Sequence, residues 1–205
     1  ETGFLSAGEI RVSGDFTVGQ QTSTFAFRPT GSHRVVMTNP SQLQTISICC
    51  AAGASGFQNL DISQSFGINI QFSLNGVFVA DTFIVQPAAG LTPWLYMLGS
   101  PLTARRFKVS RLTVDRGTIT LNENGVLANQ QFDNVTFQGY LPSQTQLQVI
   151  AVGASLAPRP LTFNGLQFQT LAGGSTGKYI NVTSTTGTLN FLLPGNNQGP
   201  TNGPL

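Results

Sequence analysis

The chain has 205 residues, enough for one substantial core, and with 40% hydrophobic content including 15 Phe it can offset the entropy of ordering and is not a disordered segment. Only 9% of residues are charged and the net charge is +2, so polyanion binding does not follow from total charge, and Gly, Ser, Thr, Asn and Gln are left to wet the surface. That surface suits an exterior structural protein better than a cytosolic enzyme, and no run approaches the ~20 apolar residues that a membrane helix needs.

Glu1-Thr2-Gly3 reads as the scar a secretion vector leaves after signal cleavage, which places the chain in a secretory setting. Residues 4–193 are expected to form a single domain and 194–205, rich in Gly, Asn and Pro, a flexible tail. Short β-type runs at 8–13, 16–18, 23–28, 33–38 and 44–50 end at turn residues such as Gly14-Asp15, Pro29-Thr30-Gly31 and Asn39-Pro40. Cys49 and Cys50 are adjacent, and vicinal cysteines bridge only through a strained ring, so they are expected to be buried thiols or to form an interchain disulfide.

From 68 to 74, Ile68, Ile70, Phe72 and Leu74 alternate with polar residues, and Asn75-Gly76 then separates this run from 77–84. Period two with Asn-Gly between predicts a long antiparallel hairpin. Trp94-Leu-Tyr96-Met follows a Pro-rich loop as a short strand or a single helical turn. Residues 106–114 alternate again, with Phe107 and Val109 inward and Arg106 and Lys108 outward, and Arg105 at the strand entry. Further strands are expected at 118–121, 132–138, 146–152, 178–183 and 188–193, with a second hairpin at Asn164-Gly165 inside 161–170. No segment sustains a helical period, and no fixed-length repeat is evident, which argues against propellers and solenoids. These elements predict an all-β fold, an antiparallel β-sandwich of the jelly-roll kind.

Reactive groups are few. His33 is the only histidine and no Gly-x-Ser-x-Gly elbow accompanies it. Nothing in the spacing of the eight acids brings two together for glycoside hydrolysis, and ligand count excludes a transition-metal site. No enzyme activity, cofactor or metal is therefore expected. Arg105, Arg106 and Lys108 form a candidate patch for a glycan or polyanion, undiluted by neighbouring acids. Trp94, Tyr96 and Tyr140 are the alternative, as sugar-stacking rings. The sequons Asn134-Val-Thr136 and Asn181-Val-Thr183 would accept N-glycans in a secretory pathway.

Val109-Ser-Arg-Leu-Thr-Val114, Gly125-Val-Leu-Ala-Asn129 and Val135-Thr-Phe-Gln-Gly139, with Thr17-Val-Gly19 before them, resemble in order segments of the birnavirus coat protein. The chain is much shorter than a full coat protein of that kind. The resemblance implies a jelly-roll capsid or projection domain that acts by assembly and receptor attachment. The functional expectation is a non-enzymatic exterior structural domain, a viral capsid or spike/projection domain that forms homo-oligomers and attaches to a host surface glycan or receptor, with packaged nucleic acid as another partner for the basic patch. A secreted carbohydrate-binding module or adhesin domain is the alternative. Either places the chain outside the cell or on a virion surface, without membrane insertion.

Overall fold

The computed structural model describes residues 5–19, 27–48, 55–70, 76–97, 101–115, 118–124, 131–139, 146–152, 161–164, 167–170, 179–184 and 189–192. Residues 1–3, Cys49, Cys50, Phe72, Leu74, Asn75, Tyr140 and the tail 194–205 lie outside them. The described residues form 16 strands joined in one hydrogen-bonded sheet, and every pairing is parallel. The chain winds as a β-solenoid, each coil lying on the one before, with three faces.

The first face stacks β2 (Phe16–Val18), β4 (Leu43–Ile48), β6 (Gly67–Ile70), β8 (Trp94–Tyr96) and the end of β9 (Pro101–Asp115). The second stacks β1 (Glu9–Val12), β3 (Arg34–Met37), β5 (Phe57–Asp61), the end of β7 (Val77–Val85) and the middle of β9. The third runs from the starts of β7 and β9 through β10 (Thr118–Asn124) and β12 (Gln146–Val152) to β15 (Tyr179–Ser184). Later coils continue the first two faces through β11 (Gln131–Gly139), β13 (Leu161–Asn164), β14 (Gln167–Thr170) and β16 (Leu189–Leu192).

Parallel stacking sets like on like. Ile10, Val35, Leu60, Phe83 and Phe107 occupy one inward row, and Val85, Val109 and Phe132 part of another. From Val35 onward these residues are buried. Phe83 meets Phe107 edge-on at 5.9 Å, and Phe107 stacks on Phe132 at 5.2 Å. Each buried Phe contributes roughly 1.5–3 kcal/mol by leaving water, and each ring pair about 0.5–1.5 kcal/mol more.

The antiparallel sandwich, and with it the jelly roll, is corrected by these pairings. Alternation requires only one dry and one wet face, a condition that a solenoid coil meets as well as a sandwich strand. The expectation against a solenoid, drawn from the lack of a fixed-length repeat, is corrected too. Arg34, Asn59, Thr82 and Arg106 form one row at steps of 25, 23 and 24 residues, whereas Gln131 to Thr162 takes 31. Loops of unequal length hide the period.

Among the described residues, the strands on either side of each Asn-Gly pair do not pair with each other. Strand β6 pairs with β4 and β8, while β7 pairs with β5 and β9. Gly76 does take a left-handed turn, at φ +80°, but a Cβ there would lie 1.9 Å from the Pro101 carbonyl oxygen of the next coil. Glycine is needed for that close approach, and the turn starts a new face instead of reversing the chain. Asn164 likewise ends β13, which pairs with β11 and β16, whereas β14 pairs with β11. Among the described residues no helix occurs.

Candidate binding trough on the second face

Among the described residues, the outward side of the second face carries a concavity. Asp61, Ile84 and Lys108 follow one another across β5, β7 and β9 in strict register and form its floor. The chain leaving β3 at Thr38 and Pro40, the turn after β5 at Ser63 and Gln64, and the loop after β7 at 86–91 rise around it. The trough holds about 830 Å³, within the range of ~300–1,000 Å³ that ligand sites take.

Its walls are tied to the floor. Asp61, only 3% exposed, accepts from the Arg34 guanidinium on one oxygen and from the Ser63 amide at 2.7 Å on the other. The Ser63 hydroxyl oxygen accepts from the Gln86 amide at 2.7 Å, joining successive coils. Gln64 accepts from Arg11 at 2.6 Å. The Arg111 guanidinium donates to the Pro87 carbonyl, and Leu91 N–H closes a turn on Ala88 at 3.2 Å. Arg111 itself sits at a corner of the coil with φ 59°, and in the next coil Asn134 takes the equivalent corner at φ 52°. Asparagine tolerates that left-handed region better than most residues.

Lys108 is the exposed member of the floor and, among the described residues, has no ion-pair partner. Arg105 and Arg106 lie apart from it at the corner between the third and second faces. Asp81 lies 3.8 Å from Arg105 and 3.3 Å from Arg106, since the bulge between Val79 and Thr82 sets it beside the neighbouring coil. The basic run is thus divided: its first two arginines face a carboxylate, contrary to the expectation of an undiluted patch, and Lys108 alone enters the trough. Phe107 and Val109 point inward and Arg106 and Lys108 outward, as period two requires.

Trp94 and Tyr96 stack on each other at 5.4 Å and 16° on the outside of the first face, both half-buried. Gly67 lies under Trp94, where a Cβ would come 2.9 Å from the Trp94 carbonyl oxygen, and the exposed Leu43 and Phe66 flank it. Tyr140, the third ring of the proposed stacking set, is outside the described residues. Asn134 is exposed, whereas Asn181 in β15 is described only by its backbone pairing with Gln148 of β12. His33 is buried at the entry to β3 with its ring 6.2 Å from that of Phe27, and burial lowers its pKa from 6.5. Among the described residues no three His, Cys, Asp or Glu converge as a metal set.

Sequence reasoning identified Lys108 but missed Arg34, Asp61 and Gln86. They come from three different coils, so only the parallel register brings them together. Comparison of the chain with known protein families, with characterised proteins and with solved structures gives no match.

Proposed function

We propose that the chain is a non-enzymatic exterior structural module, a solenoid shaft of the spike, projection or adhesin kind, which attaches to a surface glycan through the trough on its second face. The observation that carries this reading is the trough itself: a floor of side chains on three rigid rungs, walled by amides, hydroxyls and short apolar side chains. Polar groups fixed on regular elements suit the recognition of sugar hydroxyls without chemistry. Glycoside hydrolysis needs two carboxylates flanking one bond, and among the described residues Asp61 is the single acid of the lining, already engaged by Arg34 and Ser63. An uncharged, amide-rich surface fits an extracellular or virion setting. Self-association belongs to the same proposal, with Leu43 and Phe66, each 43% exposed beside Trp94, supplying apolar contact area.

A glycan array probed with the purified chain, combined with an assay for new reducing ends, tests the reading. Retention of at least one polysaccharide without its cleavage is expected. Release of reducing ends, or no retention of any glycan, would overturn it. Mass in solution reports on self-association, for which a trimer or larger assembly is the expected outcome.

A further inference from the structure

Three features compete for a ligand assignment. The stacked Trp94–Tyr96 pair presents rings largely to each other. The Arg105–Asp81–Arg106 cluster sets a carboxylate between its two guanidiniums. In the trough, by contrast, an exposed ammonium stands beside apolar carbons with no acid within ion-pair distance among the described residues, since Asp61 is engaged by Arg34 and Asp133 by Gln131.

Resting on the glycan-attachment reading, we propose that the trough binds an acidic polysaccharide, with the carboxylate of one uronic acid residue held by Lys108. The floor row runs across the strands, so a ligand lying along it crosses Asp61, Ile84 and Lys108 at one rung each, about 4.8 Å apart. Its two ends differ. At the Asp61 end the carboxylate and Arg34 neutralise each other, and Gln64 and Ser63 present amide and hydroxyl groups suited to a neutral sugar edge. At the Lys108 end a single cation among the described residues faces solvent, while Ile84, Ala88 and Leu91 offer carbon surface to a pyranose face. One uncompensated ammonium per trough matches one carboxylate per sugar. A densely sulfated chain would require clustered cations, and Arg105 and Arg106 are engaged by Asp81. A nucleic acid strand is disfavoured because among the described residues no aromatic ring lines the trough for bases to stack on.

The test measures binding of the full chain to immobilised polygalacturonate and to the same polymer with its carboxyl groups reduced to alcohols. Wild-type protein is expected to prefer the acidic polymer by about tenfold or more, the size of one charge-assisted hydrogen bond. Lys108→Gln should abolish that preference while leaving the thermal midpoint unchanged, and Lys108→Arg should restore part of it. Added salt should weaken the acidic arm and leave the reduced arm unaffected. Equal binding of both polymers, or an unchanged preference in Lys108→Gln, overturns the uronate assignment and leaves glycan attachment standing. Retention of heparin or single-stranded RNA in preference to polygalacturonate overturns it in favour of those ligands. Failure of every polysaccharide on the array removes the attachment reading and this inference together. A Leu91→Asp variant, which sets a negative charge on the trough wall, should weaken the acidic arm as Lys108→Gln does, and no change there would also count against the assignment.

Discussion

His33 is the chain's only histidine, buried beside Phe27, and its pKa is lowered from 6.5 because burial disfavours the imidazolium. The linkage has a definite sign. Above about pH 6.5 the residue is neutral in both states; between 6.5 and its lower folded value the unfolded chain binds a proton that the native chain does not. Stability is therefore fully present above that window and lost as pH falls through it. Urea midpoints should drop between pH 7.5 and 5, and His33→Gln should flatten that slope. An equal slope in the variant would show that other groups drive it. Two glycines make a second test at this scale. Gly76 and Gly90 both have positive φ, but a Cβ at Gly76 would meet the Pro101 carbonyl at 1.9 Å while one at Gly90 would meet nothing within 4 Å. Gly90→Ala should cost only ~1 kcal/mol, from backbone conformation, and Gly76→Ala at least ~2 kcal/mol, because the next coil must also move. Denaturant titration of the two variants measures the difference.

At the scale of the element, most strands were legible in the sequence and their partners were not. The runs at 8–13, 16–18, 33–38, 44–50 and 146–152 overlap β1, β2, β3, β4 and β12, because apolar–polar alternation and turn residues are local signals. Strand β5 escaped notice. It crosses a corner between Phe57 and Asn59, so its inward residues Phe57 and Leu60 break the period of two. Pairing is non-local, and Asn-Gly states only that the chain turns with positive φ, a need shared by a hairpin and a solenoid corner. The trough was least legible: Lys108 stood out as a charge, but Arg34 and Asp61 acquire meaning only through the rung order. Parallel pairing is open to direct test. Phe78 and Thr103 are partners on adjacent coils, both half-buried, and lie at a spacing that a disulfide can bridge. In a chain carrying Cys49→Ser and Cys50→Ser, the double variant Phe78→Cys, Thr103→Cys should oxidise to an intrachain bond with folding retained. Persistently free thiols under oxidising conditions would count against the register.

Taken whole, the molecule is close to one-dimensional, since each coil touches chiefly the coils before and after it. That property separates it sharply from the sandwich expected at first, in which losing two strands opens both sheets. Residues 82–105 make one complete coil: Thr82 and Arg106 are register partners, so joining Asp81 directly to Arg106 brings the chain back to the same point of the circuit one rung later. After that deletion Leu60 would lie on Phe107 in place of Phe83, Val77 on Ile119 in place of Leu102, and Asp61 opposite Lys108 in place of Ile84. The inward contacts remain apolar on apolar, and of the new outward contacts the one on the trough floor, Asp61 beside Lys108, is between opposite charges. The shortened chain is therefore expected to fold, with a β-type circular dichroism spectrum and cooperative unfolding at a lowered midpoint. It should also lose glycan retention, because the deletion removes Ile84 and the 86–91 loop from the trough while setting Asp61 against Lys108. Deleting 82–93 instead removes half a circuit and carries the chain from the third face directly into β8 on the first, so the rungs that follow lose their register partners. That variant should not fold. If both deletions fold equally well, or if neither does, the rung-by-rung account of stability is wrong.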